Sequence, residues 1–284
     1  MLGKDQDQVT SGGSTALQAG RDINYHGLSV AEVRELCTLF LRNNFPALRE
    51  EARQAAEEHV RSFAATLEKS IVDNASSIVM EKFKDPDVQA TINDAFLASA
   101  RKGSAASPDI LCSLISERVS RQSSDLLDIV ISEAVQVVPR LTKSQISLLS
   151  FVHFVKSVGL SGRSSLAEIA PYGQAAISFS HQAFGLSEIH HQHLAYAGVA
   201  SLNPLVGGDI YDELNKATYS YFGFKDCKSF KDALLTQAPS WVQLLDQFNN
   251  DNLFRINLTS VGQAIAIANI SQVLGNLDYK IWIN

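Results

Sequence analysis

The chain has 284 residues, 45 % of them hydrophobic and 19 % charged, a balance that excludes disorder as its general state. A net charge of −6 speaks against a nucleic-acid-binding surface as the main business, because such surfaces carry a basic excess. The length suffices for one large domain or two of ordinary size.

Residues 1–14 are rich in Gly, Ser, Gln and Asp and lack the apolar run of a secretory signal, so they read as a disordered tail. Residues 15–28 form the next unit, in which Leu17, Ala19, Ile23 and Tyr25 alternate with polar residues around Gly20. This pattern predicts a β-forming arm of two short strands with a bend at the glycine. Two such strands are marginal in water and leave edges unpaired, so the arm needs a partner. That partner is either the chain's own body or the same arm of other subunits.

Residues 29–160 read as a helical bundle. Ser29 caps a helix over Val30–Leu41, and Glu32 three residues on completes a capping box. Asn43, Asn44 and Pro46 interrupt the chain before a charged, Ala-rich helix expected from Pro46 to Phe83. Its apolar positions Leu48, Ala52, Ala56, Val60, Phe63, Leu67, Ile71, Ala75 and Ile78 step by three and four, which makes one stripe. At 1.5 Å per residue this amphipathic spine would be about 55 Å long, more than a small domain needs. Other helices or other copies of the chain are expected to pack on it, with Val60, Phe63, Leu67 and Ile71 as contact residues beside those of the arm.

Asp85 and Pro86 restart a helix that runs to about Arg101, and Ser107-Pro108-Asp109 opens another. Ser124 to Val138 and Lys143 to Val158 complete the series, the latter capped by Thr142. The most hydrophobic window, Ile146–Leu160, is shorter than the roughly 20 residues of a membrane span and contains His153 and Lys156. No span is expected, and the protein reads as soluble and cytoplasmic.

Composition shifts after Gly159-Leu-Ser-Gly162, and residues 161–284 are assigned to a smaller α+β module. Leu186–Ala200 holds a helix ending at Gly198 and running into a short strand; Asp209–Phe222 is expected to be helical. A strand within Phe248–Leu258, a helix over Val261–Leu274 and a terminal strand over Tyr279–Ile283 resemble the closing part of a winged-helix fold. The fold class is thus mainly α, with a long amphipathic helix, a β-arm ahead of it and a small α+β ending.

The segment Thr15–Asn24, TALQAGRDIN, resembles an N-terminal tag on bacterial proteins of conflict and defence systems. KDPDVQ from Lys84, and LTSVGQAIAIAN from Leu258 followed by DYKIWI, resemble an uncharacterised bacterial family. The resemblance spans most of the chain, implies a role in defence and brings no catalytic residues with it.

Chemistry-bearing residues are few. His181, His190, His191 and His193 form the one conspicuous cluster, and the three-residue step puts His190 and His193 on one helix face. As metal ligands they would need Glu188, Asp209 or Cys227 as well, and the spacing is not that of HExxH. Structural histidines are the simpler reading. Asp209, Asp212 and Glu213 suit the first turn of a helix, where the dipole favours carboxylates. Cys37, Cys112 and Cys227 lack CxxC spacing and lie among apolar neighbours, which fits buried thiols in a reducing compartment.

No catalytic set, resident metal or cofactor is therefore assigned. The preferred reading is a non-enzymatic, self-associating scaffold or sensor that forms a homo-oligomer through its arm and spine and has room for a further protein partner. The rival is a cryptic metal-dependent hydrolase or nuclease using the His190, His193 and Asp209 region. A third reading is a membrane-perturbing effector that exposes Ile146–Leu160.

Overall fold

The computed structural model describes residues 29, 31–32, 34–35, 46–120, 124–160 and 162–283. Leu17, Ala19, Ile23, Tyr25 and Cys37 lie outside them, as does the expected β-arm. The protein is mainly α-helical, with eleven α-helices and one two-stranded antiparallel sheet among the described residues.

The chain divides into two compact units, Met1–Ala52 and Arg53–Asn284. In the first, the Ser29–Glu32 capping box is formed: the Ser29 amide donates to the Glu32 carboxylate at 2.6 Å, and the Glu32 amide donates to Ser29 Oγ at 3.2 Å. These bonds hold the Glu32 pKa below its ordinary value.

Helix α1 is Pro46–Asp73, 28 residues and about 42 Å, and not the longer spine expected through Phe83. Local hydrogen bonds end it. Asn74 Nδ2 donates to the Ser70 carbonyl at 2.8 Å and Ser77 Oγ to the Asn74 carbonyl at 2.8 Å, so short polar side chains compete with helical continuation. Ile78 then pairs as an isolated bridge with Ser120, and packs with Val88 and Val119 in a small satellite core.

Helix α2, Pro86–Lys102, starts as its sequence demands: Asp85 Oδ1 accepts from the Asp87 amide at 2.9 Å, and Pro86 takes the first turn. Helices α3 (Pro108–Arg118), α4 (Asp125–Val137) and α5 (Lys143–Ser157) follow. Ser124 caps α4, and Thr142 with Gln145 makes a full capping box on α5. The fully buried Arg118 joins α2, α3 and α4, meeting Asp87 at 2.9 Å and Asp128 at 3.1 Å.

In α5 every residue from Gln145 to Val155 is buried. Helix α11, Ser260–Leu274, is apolar nearly all round and packs against it. A helix without a polar face belongs inside a protein, and these two are its centre. The hydrophobicity of Ile146–Leu160 therefore has an account as core, and no described helix is long and apolar enough to cross a membrane. One continuous hydrophobic cluster runs from Phe63 to Ile283, across the composition shift near residue 160.

The remaining elements cover this pair: α6 (Ala170–Ser180), α7 (Glu188–Tyr196), β1 (Ala200–Leu202), α8 (Ile210–Lys216), α9 (Cys227–Gln237), α10 (Pro239–Asn250) and β2 (Ile256–Leu258). The Asp209–Phe222 helix is shorter than expected and gives way to a 3-10 turn at Ser220–Phe222. β1 pairs antiparallel with β2, Ala200 facing Leu258 and Leu202 facing Ile256. Helices α8, α9 and α10 separate the two strands in sequence, so they do not form the wing of successive strands that the ending resembled. The expected terminal strand is instead a 3-10 turn, Tyr279–Ile281, where the Asp278 carboxylate accepts from the Lys280 amide at 3.0 Å.

Candidate functional site

Along α1 the four expected contact residues divide. Phe63 and Leu67 are buried in the chain's own core, and Phe63 meets Phe96 edge to face at 4.9 Å between ring centres. Val60 and Ile71 are half-buried, Ala52 is exposed and Val72 is 65 % exposed. The stripe is thus partly spent inside the subunit. Its upstream part, from Arg53 to Ser62, exposes all residues except the half-buried Ala56, His59 and Val60.

The histidines do not converge. His181 is exposed, with Nδ1 3.0 Å from the Ser178 carbonyl of its own turn. His193 Nδ1 lies 3.0 Å from Nε2 of the buried Gln145, whose amide also donates to the His190 carbonyl at 3.3 Å. His191 points elsewhere, buried beside Arg255 at 3.0 Å and Glu188 at 3.7 Å. Burial, with Arg255 second, holds its pKa below the usual imidazole value. Glu188 pairs with Arg255.

Asp209 is the cap of α8: Oδ1 accepts from the Tyr211 amide at 2.9 Å and from Asn249 Nδ2 at 2.9 Å. Asp212 pairs with Lys216 at 2.6 Å. Glu213, in the same first turn, acts electrostatically on the half-buried Lys156. Cys227 is half-buried at the start of α9, more open than a core thiol; Cys112 is buried, and its pKa is pushed up to about 12 by desolvation. Among the described residues no three His, Cys, Asp or Glu side chains are placed to hold a metal ion.

A concavity lies elsewhere, bounded by the C-terminal half of α1, by α3, and by α11 with the turn that follows it. It has a volume of about 320 Å³, within the range of small-molecule sites. Cys112, Ser116, Ser120 and Tyr279 are buried in its wall, with Ser113 and Glu117 half-buried beside them. Lys69, Asp73, Asp109, Gln272 and Asn276 stand exposed around the rim. Ser70 Oγ and Ser116 Oγ bond across it at 2.8 Å, tying α1 to α3.

Two groups in this wall are electrostatically displaced. Burial raises the Glu117 carboxyl above its ordinary pKa and Asp278 adds to the shift, while Lys82 and Lys280 act against it. Tyr279 is 2 % exposed, and its hydroxyl interacts with the Ser113 side chain. Its pKa is pushed above the usual phenol value by burial and by the neighbouring Glu117.

The sequence did not mark any of these residues as lining a cavity. The signal was present as Ser113, Ser116, Glu117 and Ser120, which repeat at helical steps opposite Leu111, Leu114 and Ile115. Such a row ordinarily marks a solvated face.

Comparison with curated proteins and with solved structures finds no match. A family model, that of an uncharacterised family, matches residues 27–229 and 222–283. With that coverage the chain belongs to this family.

Proposed function

We propose that the protein is a non-enzymatic, self-associating scaffold or sensor, and that α1 together with the residues before it supplies the contact between copies. The observation that carries this reading is the split use of α1. Phe63 and Leu67 are buried in the subunit, whereas the same row upstream, Ala52, Ala56 and Val60, stays partly open. A half-open apolar row on a charged helix is an economical surface for pairing helices. The resemblance of Thr15–Asn24 to a tag on bacterial defence proteins supports placing such an assembly in conflict or defence.

The test is the solution mass by light scattering of the full chain, of a chain starting at Gly27, and of the full-length Val60→Glu variant. A mass above one subunit that falls in the variant or the truncation is expected. Equal monomeric masses for all three would remove the proposal. The rival hydrolase, working through His190, His193 and Asp209, is separated by metal analysis of the purified protein, where stoichiometric zinc or manganese would favour it.

A further inference from the structure

We infer that a second cavity, where the starts of α3 and α5 meet the ends of α6 and α11, binds a free amino acid with an apolar side chain. Its volume is about 380 Å³, enough for a small molecule. Two opposite charges stand at its edge, Asp109 in the first turn of α3 and Lys143 in the first turn of α5. Both are exposed, and neither is in an ion pair with the other or with another described residue, unlike Lys216 with Asp212 on α8. A ligand with one charge of each sign satisfies both. A ligand of single charge meets repulsion from one of them.

The interior supplies acceptors for an ammonium group. Ser150 Oγ donates to the Ile146 carbonyl at 2.9 Å, so its one hydrogen is spent and it meets Asn269 Nδ2, 2.8 Å away, as an acceptor. That fixes the Asn269 amide with its nitrogen toward Ser150 and leaves Oδ1 over. Gln272 Nε2 likewise donates to the Ala268 carbonyl at 3.3 Å, leaving Oε1 over. Both residues line the cavity, so two amide oxygens join the Asp109 carboxylate as acceptors there.

Ser107 and Ser147 are the independent sign of a ligand site. Each lines the cavity and is only 8 % exposed. Ser107 holds the cap position of α3, yet its hydroxyl bonds no amide there. Ser147 does not return its hydrogen to its own helix, as Ser150 and Ser180 do to the Ile146 and Ala176 carbonyls. Buried hydroxyls are ordinarily hydrogen-bonded, and two that are not, in one cavity, mark a place where the polar atoms of a ligand fit. With Lys143 they give a carboxylate its donors. Ile110, Ile146 and Phe179 are buried in the same wall and offer contact to an apolar side chain.

The experiment is calorimetric titration of the full chain with leucine, isoleucine, methionine and phenylalanine. N-acetyl-leucine, leucinamide, glucose and inorganic phosphate are the controls. Saturable binding of at least one free amino acid is expected, and about tenfold weaker binding of the forms blocked at either end, each of which loses a charge-assisted contact. Lys143→Met should weaken the free amino acid about tenfold and leave leucinamide unchanged, because leucinamide has no carboxylate to lose. Asp109→Asn should do the same with N-acetyl-leucine as the indifferent ligand. Both side chains are exposed, so the two variants keep the fold. Absence of binding by all four amino acids at millimolar concentration overturns the inference. So does equal binding of a blocked form, indifference of the free amino acid to either substitution, or binding of glucose or phosphate in place of the amino acids. The site lies within Arg53–Asn284, and the mass of the same samples reports self-association separately, so either idea can fail alone.

Discussion

At the scale of single residues, the buried polar groups fall into those that are satisfied and those that are not. Arg118 is satisfied, gripping carboxylates from two neighbouring segments, as is Trp241, whose Nε1 donates to the Ile169 carbonyl at 2.7 Å. His153 is not. It sits in the middle of α5, 1 % exposed, with both ring nitrogens unpartnered and the ring edge-on to Trp282 at 5.1 Å. Desolvation lowers its pKa from 6.5 to about 4. The unfolded chain therefore binds a proton below about pH 6.5 that the folded chain refuses until about pH 4. Stability is intact above that window and falls by about 3 kcal/mol as pH drops through it. Urea unfolding of the parent and of His153→Leu across the window tests this. The variant should lose less stability on acidification, and parallel slopes would contradict the assignment.

At the scale of elements, caps and breakers act where the chemistry says they should. Asp85-Pro86, Ser124 and Thr142 with Gln145 each begin a helix, because their side chains satisfy amides that no helical carbonyl reaches. Gly262 shows a different constraint, legible only in three dimensions. It lies in the first turn of α11, where a Cβ would come 1.9 Å from the backbone carbonyl oxygen of Val199, just ahead of β1. The obstacle is backbone and cannot swing away. Gly262→Ala should therefore cost about 2 kcal/mol or more, despite alanine's better helix propensity. Gly159→Ala, at a position with open space, should cost far less. Chemical denaturation of the two variants side by side reads the difference.

At the scale of the whole molecule, the main hydrophobic cluster runs from Phe63 to Ile283 around α5 and α11, and α1 enters it through Phe63 and Leu67. If α1 were only an assembly surface, truncating Phe63 would alter mass and little else. Its burial instead predicts that Phe63→Ala costs about 3 to 4 kcal/mol of folding stability, whereas Val72→Ala stays within about 0.5 kcal/mol. Equal effects of the two substitutions in denaturant unfolding would contradict the docking of this helix. The self-association reading then rests on the upstream row, Ala52, Ala56 and Val60, and on the residues before Pro46.

Sequence alone determined the helical character and most helix starts, because capping and periodicity are local and a few neighbouring side chains suffice to decide them. It also showed the apolar windows that became α5 and α11. Tertiary structure decided the rest. The strand expected at Tyr279–Ile283 became a turn whose ring is buried under α3, and the spine ended at Asp73 because Asn74 and Ser77 turned back on the backbone. The row Ser113, Ser116, Glu117 and Ser120 reads as a wet helix face in one dimension; folding laid α1 and α11 over it and made it a cavity wall. Burial of a polar face depends on what packs above it, and that is information spread over segments far apart in the chain.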